Sequence, residues 1–230
     1  MAGVAVFDLD RTLTARGSFM AFMVYVLRRR PARIVALPEL LFAGLLLALK
    51  LRHRDAMKAL LWRRILAGMD RPAVDALAGT FAAEWRRSAL RPGALGAIQA
   101  HKAAGDRLIL ATAAMDSMAV PFGRALGFDD VVATRARWTP DGRVASSVAD
   151  AFDGLNCYGP EKLRRVLALL EGGPPLETRA VYTDHVTDMP LLAWATHPVA
   201  VNPHPPLRAA AAAQGIPIVD WDVAPGPGSG

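Results

Sequence analysis

The chain has 230 residues, 53% hydrophobic and 21% charged, with a formal net charge of +6 and one cysteine. That supports one large domain, or a core domain carrying an insertion. Cys157 alone excludes an intrachain disulfide framework and suits a reducing compartment.

The first element is a strand that runs straight into acids: Val4-Ala5-Val6-Phe7-Asp8-Leu9-Asp10-Arg11-Thr12. Alternate side chains of a strand face the same way, so Asp8 and Asp10 can share a face. At a strand's carboxyl end they stand where open α/β sheets bind ligands. Two acids that close repel unless a cation, a shared proton or hydrogen bonds compensate. The plain alternative is a polar turn after a buried strand. Because strand and acids fill the first ten residues, no secretory signal is visible, and the expectation is a cytoplasmic protein.

Residues 18–90 read as helical throughout. Ser18 is placed to N-cap a helix over 19–30 that Pro31 ends. A second helix is expected over 33–51, restarting at Pro38. Asp55 should cap a third over 56–67, with Gly68 as its stop. Asp70 precedes a fourth, with Pro72 in its first turn and Trp85 near its end. This segment is basic: residues 15–90 hold 14 Lys/Arg against 5 Asp/Glu, while the rest of the chain holds 13 against 16. Such asymmetry fits an anionic partner or a solvated helical surface.

Within it, Leu40 to Leu49 is apolar on every face, bounded by Glu39 and Lys50. A spanning helix needs about 20 such residues, and the chain must return to complete its sheet. Two readings remain. The helix is buried in the bundle, or it lies at a membrane interface with Arg28, Arg29, Arg30, Arg33, Lys50, Arg52 and Arg54 reaching lipid phosphates.

After Pro92 strands and helices alternate. Helices are expected over 93–104, 117–126, 160–170 and 188–195, and strands over 107–112, 131–133, 179–183 and 198–201. Thr139-Pro140-Asp141-Gly142 reads as a hairpin turn between 135–138 and 143–147. Alternation of this kind implies an α/β fold with a parallel sheet and right-handed crossovers. The end, Ala224-Pro225-Gly226-Pro227-Gly228-Ser229-Gly230, has the composition of a disordered tail.

Four polar clusters occupy comparable places, each at a strand's carboxyl end or the start of the next helix. They are Asp8/Asp10/Thr12, then Thr112, then Lys162 in a helix's first turn, then Asp184 and Asp188 in Thr183-Asp184-His185-Val186-Thr187-Asp188. Singly, each has a dull reading as a cap or a solvated side chain. A cation at a helix N-terminus, however, is disfavoured unless an anion is present.

In this order, with a helical insertion after the first, these clusters resemble the haloacid dehalogenase superfamily in its phosphoserine-phosphatase-like branch. Asn156-Cys157-Tyr158-Gly159-Pro160-Glu161-Lys162 is similar to that branch's third motif and its lead-in. The resemblance implies a Rossmann-like three-layer sandwich with an all-helical cap. The core would be 1–14 and 91–222, the cap 15–90 and the tail 223–230. It also implies roles. Asp8 would attack phosphorus and form an aspartyl-phosphate, and Asp10 would serve as general acid and base. Asp8, the carbonyl of Asp10 and Asp184 would bind Mg²⁺. Thr112 and Lys162 would hold phosphate oxygens, helped by backbone amides after Asp8, and Asp188 would orient a metal-bound water or support Lys162. Arg11 and Thr183 stand where many relatives carry glycine and bear on substrate fit.

Phosphoserine phosphatases usually carry a carboxylate about nine residues after the nucleophile to meet the substrate's ammonium; here that place is Gly17. The insertion instead resembles that of phosphatidylglycerophosphatase C and related enzymes, through Gly17-Ser18-Phe19, the arginine–proline break, the Leu-rich run and Leu60-Leu61-Trp62. The implied function is a Mg²⁺-dependent phosphomonoesterase acting on an anionic phospholipid phosphate, peripheral at the inner face of the membrane. The alternatives are a phosphatase of a small soluble metabolite, phosphotransfer to an alcohol, and a membrane-binding module on the same fold. Nucleic acid is not an expected partner, since no aromatic ladder or reading motif accompanies the basic residues.

Overall fold

β1 (Gly3–Phe7) is buried along its whole length, and its alternation sorts the interior into two cores. Ala5 and Phe7 point to one face of the sheet with Leu108 and Leu110; Val4 and Val6 point to the other with Ile109 and Val181. A strand apolar on both sides must be covered on both sides, which is how parallel sheets are built. The computed structural model describes residues 3–36, 54–144 and 151–223.

The other strands are β2 (Arg107–Met115), β3 (Asp130–Thr134), β4 (Thr178–Thr183), β5 (His197–Val201) and β6 (Ile218–Val219). They form one sheet in the order β3-β2-β1-β4-β5-β6, every neighbouring pair parallel. The helices α4 (Pro92–Ala104) and α5 (Asp116–Leu126) cover one face. On the opposite face lie α6 (Pro160–Leu170), α7 (Met189–Trp194) and α8 (Pro205–Gln214). This is the expected α/β, Rossmann-like architecture. The chain winds outward from β1 to β3, then returns to β4 on the other side of β1. The crevice between β1 and β4 is therefore the switch point at which such sheets bind ligands.

Among the described residues between β1 and β2 there is no strand. α1 (Ser18–Arg29), a 3₁₀ turn (Pro31–Ala36), α2 (Arg54–Leu66) and α3 (Arg71–Ala89) occupy the segment. Phe22, Trp62 and Phe81 pack together among the three α-helices, and α3 lies against α5. The two connections to the sheet pair with each other. Ala15 N–H donates to Ala89 O at 2.7 Å, and Arg91 N–H to Leu13 O at 2.8 Å.

Local signals hold well here. Asp70 caps α3 by accepting from Ala73 N–H at 2.9 Å, and Gly105 and Gly127 end their helices in the left-handed conformation. Two expectations need correction. Ser18 is the first helical residue and not the cap; its N–H donates to Asp10 Oδ1 at 2.8 Å. Asp55 lies inside α2 and accepts from Asn156 Nδ2 instead of capping. α3 has Trp85 near its end as expected and runs to Ala89, because Ala78, Phe81, Ala82, Trp85 and Ala89 form one buried stripe. α8 and β6 were not expected at all: a run of alanines and a two-residue strand carry little periodicity. Of the helix expected over 33–51, residues 33–36 are 3₁₀ and the Leu-rich run lies outside the described residues, as does 224–230. Among the described residues, no helix is long and apolar enough to cross a membrane.

Candidate active site

Asp8 follows β1 directly, its N–H donating to Tyr182 O at 3.0 Å, so its side chain emerges in the crevice between β1 and β4. There it meets Lys162 from the first turn of α6, Nζ to Asp8 Oδ1 at 2.9 Å. The same ammonium donates to Asp188 Oδ2 at 2.6 Å. Lys162 is only 2% exposed. Burial works against its charge, yet Asp188 and Asp8 together hold its pKa above the ordinary lysine value. Lys162 is thus a buried cation between two carboxylates and not a solvated first-turn lysine. Burial, aided by the charges of Asp188 and Asp184, pushes the Asp8 carboxyl up to about 7 against the pull of Lys162.

A second bridge is made by Thr12. Its hydroxyl lies 3.2 Å from Asp8 Oδ2 and 3.1 Å from Asp184 Oδ1. One proton faces two carboxylates, so it cannot satisfy both at once. Burial raises the Asp184 and Asp10 carboxyls above their ordinary range, more than Thr12 lowers the first or Ser18 the second. Asp10 stands at the N-terminus of α1, where the helix dipole favours its charge.

Thr112 lies short of the end of β2. The regular pairing of β2 with β3 is interrupted between Ala111 and Met115, and Thr112 lies in that irregular stretch. Its Oγ1 accepts from Ala114 N–H at 3.0 Å. Asp8, Asp10, Thr112, Lys162, Asp184 and Asp188 all line one cavity of about 300 Å³. Arg11, Gly17, Tyr158 and His185 also line it. A larger groove along β3, of about 890 Å³, includes Glu161, but that acid is occupied by Arg164 and Arg165.

Thr183 is an informative departure from the glycine expected by resemblance. It is fully buried and donates to Asp188 Oδ2 at 2.7 Å, so its hydroxyl helps to hold Asp188. Thr12 and Thr183 are the side chains that sequence reasoning underused; a hydroxyl two residues after Asp10 and one directly before Asp184 were the available signals. Arg11 adopts φ 68°, the left-handed region. Its carbonyl accepts from Arg91 Nε and Nη2 at 3.2 and 3.1 Å, which explains why the conformation is imposed. A non-glycine residue there costs roughly 1–2 kcal/mol, partly offset by the greater unfolded-state freedom of glycine. Arg11→Gly should therefore raise Tm by about 1–4 °C. A lowered Tm in a thermal scan would mean that the Arg11 side chain makes a compensating contact.

The residues suit a hard divalent cation. Four carboxylates line one cavity while one lysine pairs with two of them, Asp188 Oδ1 is buried without a partner, and Thr12 offers one proton to two acids. Among the described residues no group of three or more His, Cys, Asp or Glu side chains stands ready to enclose a metal. Carboxylate oxygens of this kind are the donor type that a hard cation such as Mg²⁺ would take, one or two at a time with several waters.

A switch-point crevice with an aspartate at its base, a buried lysine and further acids beyond β4 defines an α/β protein with a charged ligand site at the carboxyl ends of its strands. The model of haloacid dehalogenase-like hydrolases matches residues 5–193, and the chain belongs to that family. Protein CicA of Caulobacter vibrioides is 32% identical over 201 residues, covering 84% of this chain and 82% of that one. A Mycobacterium tuberculosis protein named as a probable phosphatase is 30% identical over 223 residues, covering 94% and 75%. A histidinol-phosphatase of Neisseria meningitidis is 25% identical over 239 residues, covering 96% and 100%. Among solved structures, a protein of unknown function from Bordetella pertussis superposes with TM-score 0.80 at 27% identity, covering 96% and 99%. A substrate-bound phosphoserine phosphatase shares the fold at TM-score 0.59 and 16% identity, covering 97% and 94%. The chain is thus a hydrolase of the haloacid dehalogenase family, with relatives named as phosphatases and phosphoserine-phosphatase-like structural neighbours.

Proposed function

We propose that the protein is a Mg²⁺-dependent phosphomonoesterase that works through an aspartyl-phosphate on Asp8 and acts on an anionic phospholipid phosphate such as phosphatidylglycerol phosphate. The observation that supports the chemistry most is the Asp8–Lys162–Asp188 chain at the switch point. Asp8 attacks phosphorus, its new O–P bond forming as the bond to the leaving oxygen breaks. Asp10 gives that oxygen its proton, a task suited to a carboxyl whose pKa burial has raised. Asp10 then takes a proton from water as the water attacks phosphorus, the O–P bond to Asp8 breaks, and phosphate departs. Lys162 and Thr112 hold phosphate oxygens, and Asp188 with Thr183 holds Lys162. Asp8, Asp184 and the backbone carbonyl of Asp10 would hold Mg²⁺. When bound, the ion offsets the repulsion between carboxylate and phosphate, about 4 kcal/mol per charge pair at 4 Å and an effective dielectric of 20.

The division at 15 and 90 fits a helical cap that opens and closes over the strand ends, hinged on the paired connections at Leu13–Ala15 and Ala89–Arg91. The +9 balance of that segment, its Leu-rich run and Gly17 in place of a carboxylate favour an anionic lipid phosphate. Arg28, Arg29 and Arg30 are all exposed, and Arg29 also pairs with Glu84 at 3.1 Å and lies over the Tyr25 ring. Each basic residue near an anionic surface contributes about 1 kcal/mol, enough together for reversible adsorption without a span.

The test is a panel with Mg²⁺: phosphatidylglycerol phosphate in micelles, lysophosphatidate and phosphoserine. We expect kcat/KM on the first to exceed that on phosphoserine by about tenfold or more, a transition-state difference of about 1.4 kcal/mol. The protein should sediment with phosphatidylglycerol vesicles, less at high salt, and Arg28→Glu/Arg30→Glu should weaken sedimentation while sparing hydrolysis of a small soluble ester. A small soluble metabolite is the second reading, favoured by the likeness to the Neisseria histidinol-phosphatase. Equal or better turnover of phosphoserine or histidinol phosphate, with no vesicle binding at low salt, would establish it.

A further inference from the structure

Lys58 projects from α2, outside the cavity, yet ends beside its wall. Its Nζ donates to Ala113 O and to Asn156 Oδ1, the latter at 2.9 Å, and lies 3.4 Å from Thr134 Oγ1. The rings of Phe19 and Phe152 stand 5.8 and 5.2 Å from it. Its hydrogen-bond partners are neutral oxygens, a costly home for an ammonium that a methionine would fill without desolvating a charge. Burial accordingly pushes the lysine down to about 8, although Asp55, Asp10, Cys157 and Asp116 pull the other way.

What Lys58 holds explains the cost. Ala113 O and Ala114 N belong to one peptide unit, a rigid plane. Its carbonyl accepts from Lys58 and lies 2.9 Å from Thr134 Oγ1, whose single proton also faces Asn156 Oδ1 at 2.6 Å. Its N–H donates to Thr112 Oγ1. Because that bond uses a lone pair of the hydroxyl, the Thr112 proton is left to point elsewhere, and Thr112 and Ala113 both line the cavity with Asp8. Asn156 is gripped twice by the same helix, by Lys58 and by Asp55 Oδ1 at 2.8 Å, and it leads into the turn before Lys162. We infer that Lys58 is a positioning residue: docking of α2 on the sheet sets the Ala113–Ala114 peptide and so aims the Thr112 hydroxyl at phosphate. Phosphate is then gripped fully only when the helical segment is seated.

The inference rests on the phosphatase reading, and a coupling experiment separates the two. Inhibition by inorganic phosphate and kcat/KM on a small soluble phosphate ester are measured with Mg²⁺ for the native protein, Lys58→Met, Thr112→Val and the double variant. Each single change should weaken phosphate inhibition by about tenfold, the loss of one good hydrogen bond, and the double variant should be no weaker than the worse single one. A merely structural role for Lys58 would make the losses multiply to about a hundredfold, which would overturn the inference, as would a Lys58→Met constant within about twofold of native. If Lys58→Met does not fold, Asn156→Ser loosens the same lysine; its loss, about threefold, should vanish in the Thr112→Val background, and persistence there overturns the inference. Absence of Asp8-dependent phosphate release from the native protein would instead remove the reading of the site itself.

Discussion

Asp8→Asn should abolish phosphate release from every substrate, lowering kcat by about a thousandfold or more, because in the proposed mechanism the carboxylate is the group that bonds to phosphorus. Beryllium fluoride with Mg²⁺, which mimics an aspartyl-phosphate, should inhibit the native protein and leave no mark on the variant. A residual kcat above about a tenth of native in a clean preparation would assign the nucleophile elsewhere. The variant should not be a folding casualty. Burial and the charges of Asp188 and Asp184 raise Asp8 to about 7 in the native state, from an ordinary 3.8. A carboxyl raised in this way contributes stability below pH about 4 and loses it as pH rises through about 7. Without divalent cation, the Tm of Asp8→Asn relative to the native chain should therefore increase from pH 4 to pH 8. A relative Tm that falls over that window would mean that Lys162 rewards the Asp8 charge more than burial penalises it.

Removing the cation should have the opposite effect on stability. Lys162→Met leaves Asp8 and Asp188, bonded to one Nζ at 2.9 and 2.6 Å, as neighbouring buried carboxylates without their partner. Breaking a buried ion pair from one side costs about 3–5 kcal/mol, or a Tm loss of roughly 6–20 °C in a chain of this size. Lowering the pH from 8 to 5 should return part of it, since Asp8 takes up a proton with even less resistance once the lysine is gone. Turnover should fall by about a hundredfold or more, with the loss in kcat as well as KM, because the ammonium faces charge that grows in the transition state. Calorimetry at the two pH values and steady-state kinetics check both halves. A variant as stable as the native chain at pH 8 would mean that Asp8 and Asp188 find other partners when Lys162 is lost.

The polar clusters were legible because each is a local statement. Asp8 and Asp10 are separated by one residue after a β-favouring run, and Asp184 and Asp188 by three after another. Ends of strands and starts of helices are marked by composition over a few residues, so these positions could be ranked together before any contact was known. Thr112 is not the end of its strand, since β2 runs three residues further, to Met115. Its actual location in an irregular stretch of β2 comes from the register shift against β3, which no run of six residues encodes. Lys162 was correctly set in a first turn, but its burial depends on partners 154 and 26 positions away. Thr183 looked like an added side chain at the pocket and is instead a donor to Asp188.

By itself the sequence determined what depends on neighbours along the chain. That includes a parallel α/β sheet from its alternating elements, the helical insertion after the first strand, the Asp70 cap, the glycine helix ends and the order of the four clusters. Period, capping and turn preference act within about one turn or one strand. Only the tertiary structure decided which side chains meet. Thr12 lies against Asp184 across 172 positions, Arg91 holds the carbonyl of Arg11 across 80, and Lys58 reaches Ala113 across 55. Those pairings follow from how the two cores pack on opposite faces of β1 and from where the chain turns back to β4. Hydrophobic burial drives that packing without reading which polar group arrives beside which.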